Sequence, residues 1–500
     1  MTASVHPSEI PRPEARATDS SACWFPDGTT GRRSRLHFLG ICGTAMGAVA
    51  AMLREEGWDV GGSDENVYPP LSTFLESRGI ALHEGYRPEN LPDDPEVTVV
   101  VGNAIKRGNP ELEAVLEGKR FYLSLPEVLK FIFLRKTRNF VVAGTHGKTT
   151  TASLLAWLFA AAGKEPSFLI GGLPGNFGAG AHRGKGDVWI LEGDEYDTAF
   201  FDKRSKFLHY LPEVVLINNI EFDHADIFPD LAAIQLSFRR LIHLVPRTGR
   251  IIVNADDPNS QAVCEGSLAP VTSVGFGQEA EIRIGRVRYT EESSEFEMLG
   301  RRLRVPLVGE LYVRDAAMAV AAAVHGGVSL DAIVEEGLPR FQGVRRRGEV
   351  RAEVGGVTIV DDFGHHPTAI RETLRSLRLR FPKRRIWAIF EPRSNTTRRA
   401  VFQEVLPESL SVADGIFIAD VARKDQLPEA DRLDPRRIIE DLRRQGKIAF
   451  FEQDATAIAN HIATLVRQGD VLVVFSNGGF DGIQEKLAAA LQRNQVRLTQ

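Results

Sequence analysis

Phe140-Val-Val-Ala-Gly-Thr-His-Gly-Lys-Thr-Thr-Thr151 passes from strand to turn to helix within a dozen residues. Its four leading apolar residues predict a short buried strand ending at Gly144, and from Thr149 the pattern turns helical (TTASLLAWLFAAAG) until Gly163. Between them, Gly144-Thr-His-Gly147-Lys148-Thr149 is a glycine turn at a helix start. Converging backbone N–H groups and the positive end of the helix dipole favour an anion there. Lys148 can neutralise β/γ-phosphate charge, and the Thr149 hydroxyl can bind Mg²⁺. Val142 occupies the first glycine place of the full phosphate-loop pattern, but the Gly-Lys-Thr triplet falls at the junction the mechanism requires. The alternative, an ordinary strand–turn–helix with a surface lysine, explains that placement less well. Gly144, Thr145, His146, Gly147, Lys148, Thr149 and Thr150 are read as a nucleoside-triphosphate site.

Working outward, 500 residues are enough for about three domains, each with its own core. A net charge of −5 argues against general nucleic-acid binding, which needs a basic face. Cys23, Cys42 and Cys264 are odd in number and far apart, which suits reduced thiols better than a disulfide frame. No run approaches 18 apolar residues and the N-terminus has no apolar signal core. A cytoplasmic protein with no membrane contact and no evident obligatory protein partner is expected.

Residues 1–33 hold Pro7, Pro11, Pro13 and Pro26 with little apolar content and read as a disordered tail. Order is expected from Arg35-Leu-His-Phe-Leu39, a strand running into Gly40-Ile-Cys-Gly43-Thr-Ala-Met-Gly47, with later strands near 58–61 and 97–101. The fold class is α/β: a Rossmann-like first domain (34–137), a central phosphate-loop ATPase domain (138–343) and a Rossmann-like C-terminal domain (344–500). In the central domain, the short alternating runs between about 280 and 308 are expected as antiparallel strands added to the main sheet. An Ala-rich helix over 316–324 closes that domain. The third carries strands at 357–360, 386–390, 416–419, 448–451 and 471–475.

Polar clusters follow several of these strands. Gly40-Ile-Cys-Gly43 resembles a dinucleotide fingerprint, but Cys42 and Ala45 occupy its second and third glycine places. A single pyrophosphate at this helix start is preferred over a nicotinamide cofactor, with Asp64 placed to meet a ribose or base. Acidic residues after a buried strand (Glu192, Asp194, Glu195, Asp197) and a second cluster (Glu221, Asp223, His224, Asp226) offer hard oxygen ligands beside the phosphate loop. In the third domain, Asp361-Asp-Phe-Gly-His365-His366-Pro367, Glu391-Pro-Arg393-Ser-Asn395-Thr396 and Ser476-Asn477-Gly-Gly479 follow parallel strands and mark one crevice. No Cys or third His stands at ligand spacing from His365-His366, which argues against zinc.

In this order along the chain, the phosphate loop, the Glu192 cluster, Glu221-Phe-Asp-His224 and Asp361–Pro367 resemble the Mur ligases, ATP-dependent amide-bond-forming enzymes of peptidoglycan metabolism. Asn66-Val-Tyr-Pro-Pro70, Ala199–Lys206, Glu391–Thr396 and Ser476–Phe480 are similar to the branch that attaches a recycled cell-wall peptide to UDP-N-acetylmuramate. The alternatives are the L-alanine-adding branch, a phosphate-loop kinase and a non-catalytic nucleotide-sugar-binding protein. The family's usual His-Asn-x-x-Asn adenine motif is replaced here by Leu311-Tyr312-Val-Arg-Asp315. Asp315 can accept a hydrogen bond from an exocyclic amine but cannot donate as an amide does. The segment 231–243 lacks the lysine that other branches carbamylate.

The resemblance implies ATP and Mg²⁺ as cofactors, with UDP-N-acetylmuramate and the tripeptide L-alanyl-γ-D-glutamyl-meso-diaminopimelate as partners. It implies Lys148, His224 and His365 at the chemical step, and Thr149, Glu192 and His224 as metal ligands. Asp315 joins the nucleotide site; Gly40, Cys42, Gly43, Thr44 and Asp64 hold the UDP-sugar; Arg393, Asn395 and Asn477 face the peptide.

Overall fold

A computed structural model describes residues 35–499, with side chains to 494. The tail expected over 1–33 lies outside them. Five strands, Arg35–Leu39 (β1), Asp59–Asp64 (β2), Ala81–Glu84 (β3), Thr98–Val101 (β4) and Tyr122–Ser124 (β5), form a parallel sheet in the order β3-β2-β1-β4-β5. Beyond Arg35, β1 and β4 are buried on both faces because helices cover both, with His37 of β1 held by Glu111 at 2.6 Å.

The central sheet has eight strands: Arg138–Ala143 (β6), Ser167–Leu169 (β7), Ala181–His182 (β8), Val188–Gly193 (β9), Val214–Ile217 (β10), Arg250–Asn254 (β11), Val271–Gly275 (β12) and Ile282–Arg283 (β13). Their order is β13-β12-β11-β10-β6-β9-β7-β8, parallel except for the β7–β8 edge pair. Ala143 of β6 lies in register with Ile217 of β10 and Gly193 of β9. Gly144, Asn218 and Asp194 therefore leave the sheet side by side. Alternate residues serve different cores. Phe140, Val142, Val214 and Leu216 face the helices Lys148–Ala161 and Glu310–His325. Val141, Ala143, Val215 and Ile217 belong to a core continuous with that of the first sheet.

The segment 280–308 corrects one expectation. Gly285–Tyr289 (β14), Ser294–Met298 (β15) and Arg301–Val305 (β16) are antiparallel, but they form a separate three-stranded sheet instead of extending the central one. Phe296, Met298, Leu303 and Val305 pack into the core beneath the helix Glu310–His325, while the alternating charged residues face outward. One apolar face makes these strands a covering layer, which an edge position would not use.

The third sheet orders Glu349–Val354 (β17), Val357–Asp362 (β18), Ile386–Phe390 (β19), Gly415–Ala419 (β20), Ile448–Glu452 (β21) and Val471–Phe475 (β22) as β17-β18-β22-β19-β20-β21. Only β17 runs antiparallel within it. Asp362, Phe390 and Phe475 are in register, so the clusters that follow them emerge together. Among the described residues no helix is long and apolar enough to cross a membrane.

Candidate active site

The turn after β6 needs two glycines for different reasons. Gly144 has φ +137° and lies where a Cβ would press on the backbone of Asn219. Gly147 has φ +77°, and a side chain there would collide with Asp315 and Asn218. The loop is stitched to the end of β10. Thr145 N–H donates to the Asn219 carbonyl (2.9 Å), His146 N–H to Asn219 Oδ1 (2.8 Å), and Glu221 N–H to Thr145 Oγ1 (2.9 Å). The helix Lys148–Ala161 starts directly from Gly147, leaving its first amides aimed outward.

Lys148 and Thr149 then meet two different carboxylates. Lys148 Nζ lies 2.8 Å from Glu195 Oε2, and the other Glu195 oxygen lies 3.0 Å from His224 Nε2. Burial opposes all three charges, but their mutual attraction wins. Lys148 is held above its ordinary pKa by Glu195, Asp194 and Glu192. Glu195 falls to about 2 under Lys148 and His224, and His224 rises to about 9 through Glu195 and Asp223. His224 stands at φ +54°, a conformation L-residues seldom adopt. Thr149 donates to Glu192 Oε1 (2.8 Å), whose other oxygen accepts from Gly171 N–H (2.6 Å). Arg347 donates to Thr149 Oγ1 from across the cleft (2.9 Å). Burial and the neighbouring Asp194 raise the Glu192 pKa.

Third-domain side chains close over this centre. Thr396 donates to Asp223 Oδ1 (2.7 Å) and Asn395 to Asp226 Oδ2 (2.7 Å). His365 Nε2 stands 3.8 Å from Asp223, and burial lowers the His365 pKa. Arg393 reaches Glu391 (3.3 Å) and lies against Gly478, where any Cβ would collide with it. Asn477 Oδ1 is buried without a partner. These groups share a cleft of about 740 Å³ that also admits Asn103 and Lys106 from the first domain.

The structure thus gathers Thr145–Thr150, Glu192, His224, His365, Asp315, Arg393, Asn395 and Asn477 around one space. Asp315 sits behind the loop, against Gly147, with Oδ2 buried and unpartnered. Burial lifts its pKa to about 7. The Gly40–Thr44 turn is elsewhere on the first domain. There Asp64 accepts from the backbone amides of Cys42 and Asn66, both at 2.9 Å, which engages its two oxygens locally. The Cys42 thiol is pushed up to about 11 by burial and by Asp64. Two participants went unassigned from sequence. Glu195 was one acid among several in its cluster, and nothing marked it as the partner of both Lys148 and His224. Arg347 stood in the run Arg345-Arg346-Arg347 with no sign of which arginine faces Thr149.

Three family models match successive parts of the chain. They are the Mur ligase family catalytic domain (residues 35–137), the Mur ligase middle domain (142–323) and the Mur ligase glutamate ligase domain (346–478). The chain is 43% identical over 466 residues to the UDP-N-acetylmuramate–L-alanyl-γ-D-glutamyl-meso-2,6-diaminoheptandioate ligase of Escherichia coli K12, covering 92% of this chain and 98% of that one. It is 33% identical to the UDP-N-acetylmuramate–L-alanine ligase of Salinibacter ruber, covering 93% and 96%. Among solved structures it resembles a murein peptide ligase from Psychrobacter arcticus, with a TM-score of 0.68, 34% identity, and coverage of 92% of this chain and 99% of that one. With these matches spanning nearly all of the described residues, the chain belongs to the Mur ligase family of ATP-dependent, amide-bond-forming ligases.

Proposed function

We propose that this ligase joins L-alanyl-γ-D-glutamyl-meso-diaminopimelate to UDP-N-acetylmuramate. The observation that carries the reading is one cleft of about 740 Å³ in which the phosphate loop faces Arg393, Asn395 and Asn477. The sugar's lactyl carboxylate attacks the γ-phosphate of ATP, forming an acyl phosphate and releasing ADP. The peptide amine then attacks the acyl carbon, and phosphate leaves. Residues 34–137 hold the nucleotide sugar at the Gly40–Thr44 turn, 138–343 hold ATP, and 344–500 hold the peptide.

Lys148, charged and fixed by Glu195, offers its ammonium to the transferring phosphoryl group, and the amides of 145–150 orient the phosphates. Thr149 Oγ1 and the Glu192 carboxylate form a hard-oxygen pair that would hold Mg²⁺, and His224, which is charged against Glu195, would have to release its proton before joining them as a ligand. Bound Mg²⁺ supplies charge neutralisation at phosphate oxygens. His365, kept neutral by burial, lies within the cleft where the amine must shed a proton. Arg393 offers a planar fork to a peptide carboxylate.

A peptide acceptor is favoured over L-alanine by the higher identity to the peptide-adding relative and by the cleft's several polar groups, more than one small amino acid needs. The deciding experiment is mass spectrometry of the product formed from UDP-N-acetylmuramate, ATP, Mg²⁺ and either the tripeptide or L-alanine. Ligation of the tripeptide with the higher kcat/KM is expected; the opposite ranking overturns the acceptor assignment. No ligated product from either amine would overturn the catalytic reading itself.

A further inference from the structure

We propose that His146, Glu221 and His366 form a site for a borderline transition-metal ion of the zinc class, separate from the Mg²⁺ ligands assigned above. Their sequence positions conceal it, because the third histidine arrives from the phosphate loop. His146 Nε2 lies 3.0 Å from Glu221 Oε2, and His366 Nδ1 lies 3.3 Å from the same oxygen. All three ligand atoms fall within 4.8 Å of one another.

The hydrogen bonds around His366 determine its proton. Nε2 faces the Phe222 carbonyl at 3.2 Å, which can only accept, so Nε2 carries the hydrogen. Nδ1 faces the Thr368 amide at 3.2 Å, which can only donate, so Nδ1 carries a lone pair. That lone pair and the Glu221 oxygen are therefore two acceptors 3.3 Å apart, and no proton of His366 lies between them. Without an ion the Thr368 amide answers Nδ1, and His146 Nε2–H and the Thr368 hydroxyl answer Glu221. A cation placed among Nδ1, Oε2 and His146 Nε2 would replace these donors, with the His146 proton on Nδ1 instead. An imidazole oriented through its other nitrogen by a backbone carbonyl is the usual arrangement of a metal-ligating histidine. Two imidazoles and one carboxylate suit Zn²⁺, Co²⁺ or Ni²⁺ and not Mg²⁺, with a fourth position left for water.

The ligands come from the phosphate loop, the loop after β10 and the start of the helix Pro367–Arg380. An ion there ties the third domain to the phosphate loop and holds His146 away from the nucleotide. Zn²⁺ should consequently inhibit turnover in a way that added Mg²⁺ does not relieve.

The test is titration of metal-stripped full-length protein with Co²⁺ in excess Mg²⁺, followed by visible absorption. One Co²⁺ per chain is expected, displaced by Zn²⁺. Glu221→Gln, which keeps an acceptor for His146, should weaken binding about tenfold or more, and so should His366→Gln. Glu192→Gln, aimed at the assigned Mg²⁺ pair, should leave Co²⁺ binding unchanged. Absence of stoichiometric Co²⁺ binding, or wild-type binding in both Glu221→Gln and His366→Gln, would overturn the proposal. So would loss of binding in Glu192→Gln alone, which would put the ion on the Mg²⁺ ligands. Thermal unfolding of each variant identifies any that misfolds; should His366→Gln do so, Glu221→Gln decides.

Discussion

Lys148 is buried in an ion pair with Glu195, and Glu195 also holds His224. In the proposed reaction, removing Lys148 takes away a contact to developing phosphoryl charge, a loss typically worth about 10²–10³ in rate. Lys148→Ala is expected to lower kcat by that order in a phosphate-release assay, and near-wild-type turnover would show the assignment to be wrong. Asp315 makes a separate prediction about stability. Its folded pKa of about 7 exceeds the ordinary value of 3.8 because burial disfavours the charge. Between those pH values the native state binds more protons than the unfolded one, so stability falls as pH rises through the window and stays reduced above it. Asp315→Asn should remove that slope and gain ~2–4 kcal/mol at about pH 8 relative to wild type. His224, raised to about 9, loses its own contribution as pH climbs from 6.5 to 9, but equally in both proteins. Urea unfolding at about pH 4 and about pH 8 checks the difference, and parallel pH profiles would refute it.

At the scale of elements, the helix Lys148–Ala161 is anchored from behind. Phe159 is fully buried, meets Phe140 edge-on at 5.3 Å between ring centres, and leaves no space for a side chain at Gly326. Phe159→Ala should cost ~3–5 kcal/mol, measurable by denaturant titration, with a cavity at the end of the helix away from the phosphate loop, between Phe140 and Gly326. The same element shows why some of the fold was legible. A four-residue apolar run, two glycines and an Ala-rich continuation can be read without a partner, as can the uniformly apolar third-domain strands. β17 was passed over although Glu349-Val-Arg-Ala-Glu-Val354 alternates charged and apolar residues, because its apolar positions are few and small beside the uniformly apolar run of β18 that follows. β14–β16 were legible as strands from alternation, but alternation does not say which sheet a strand joins. Site residues behaved likewise. Thr149 and Glu192 could be named because one stands at the start of the helix after a strand and the other ends an apolar run of the central sheet, whereas the pairing of Glu195 with both Lys148 and His224 depends on how strand ends align. The meeting of His146 with His366 depends on how whole domains dock.

Across the whole molecule, the cleft exists only where three sheets present their carboxyl ends to one another. Thr396 and Asn395 bind Asp223 and Asp226, so the third-domain loop proposed to meet the peptide is joined to the segment that follows β10. Arg393 stands outside those bonds, close to Glu391 and Gly478. Arg393→Ala is expected to raise KM for the tripeptide by about 10- to 100-fold, the loss of one charged hydrogen-bonding contact, with little change in KM for UDP-N-acetylmuramate. Equal changes for both substrates would place Arg393 elsewhere in the reaction. The continuous core beneath the first and central sheets carries a last consequence. Leu36 and Phe38 share it with Val215 and Ile217, whereas the third sheet is flanked by cores of its own. Melting should accordingly proceed through two cooperative units and not three. Calorimetry of the nucleotide-free protein would resolve two transitions, and a chain ending near residue 343 would keep the larger of them intact.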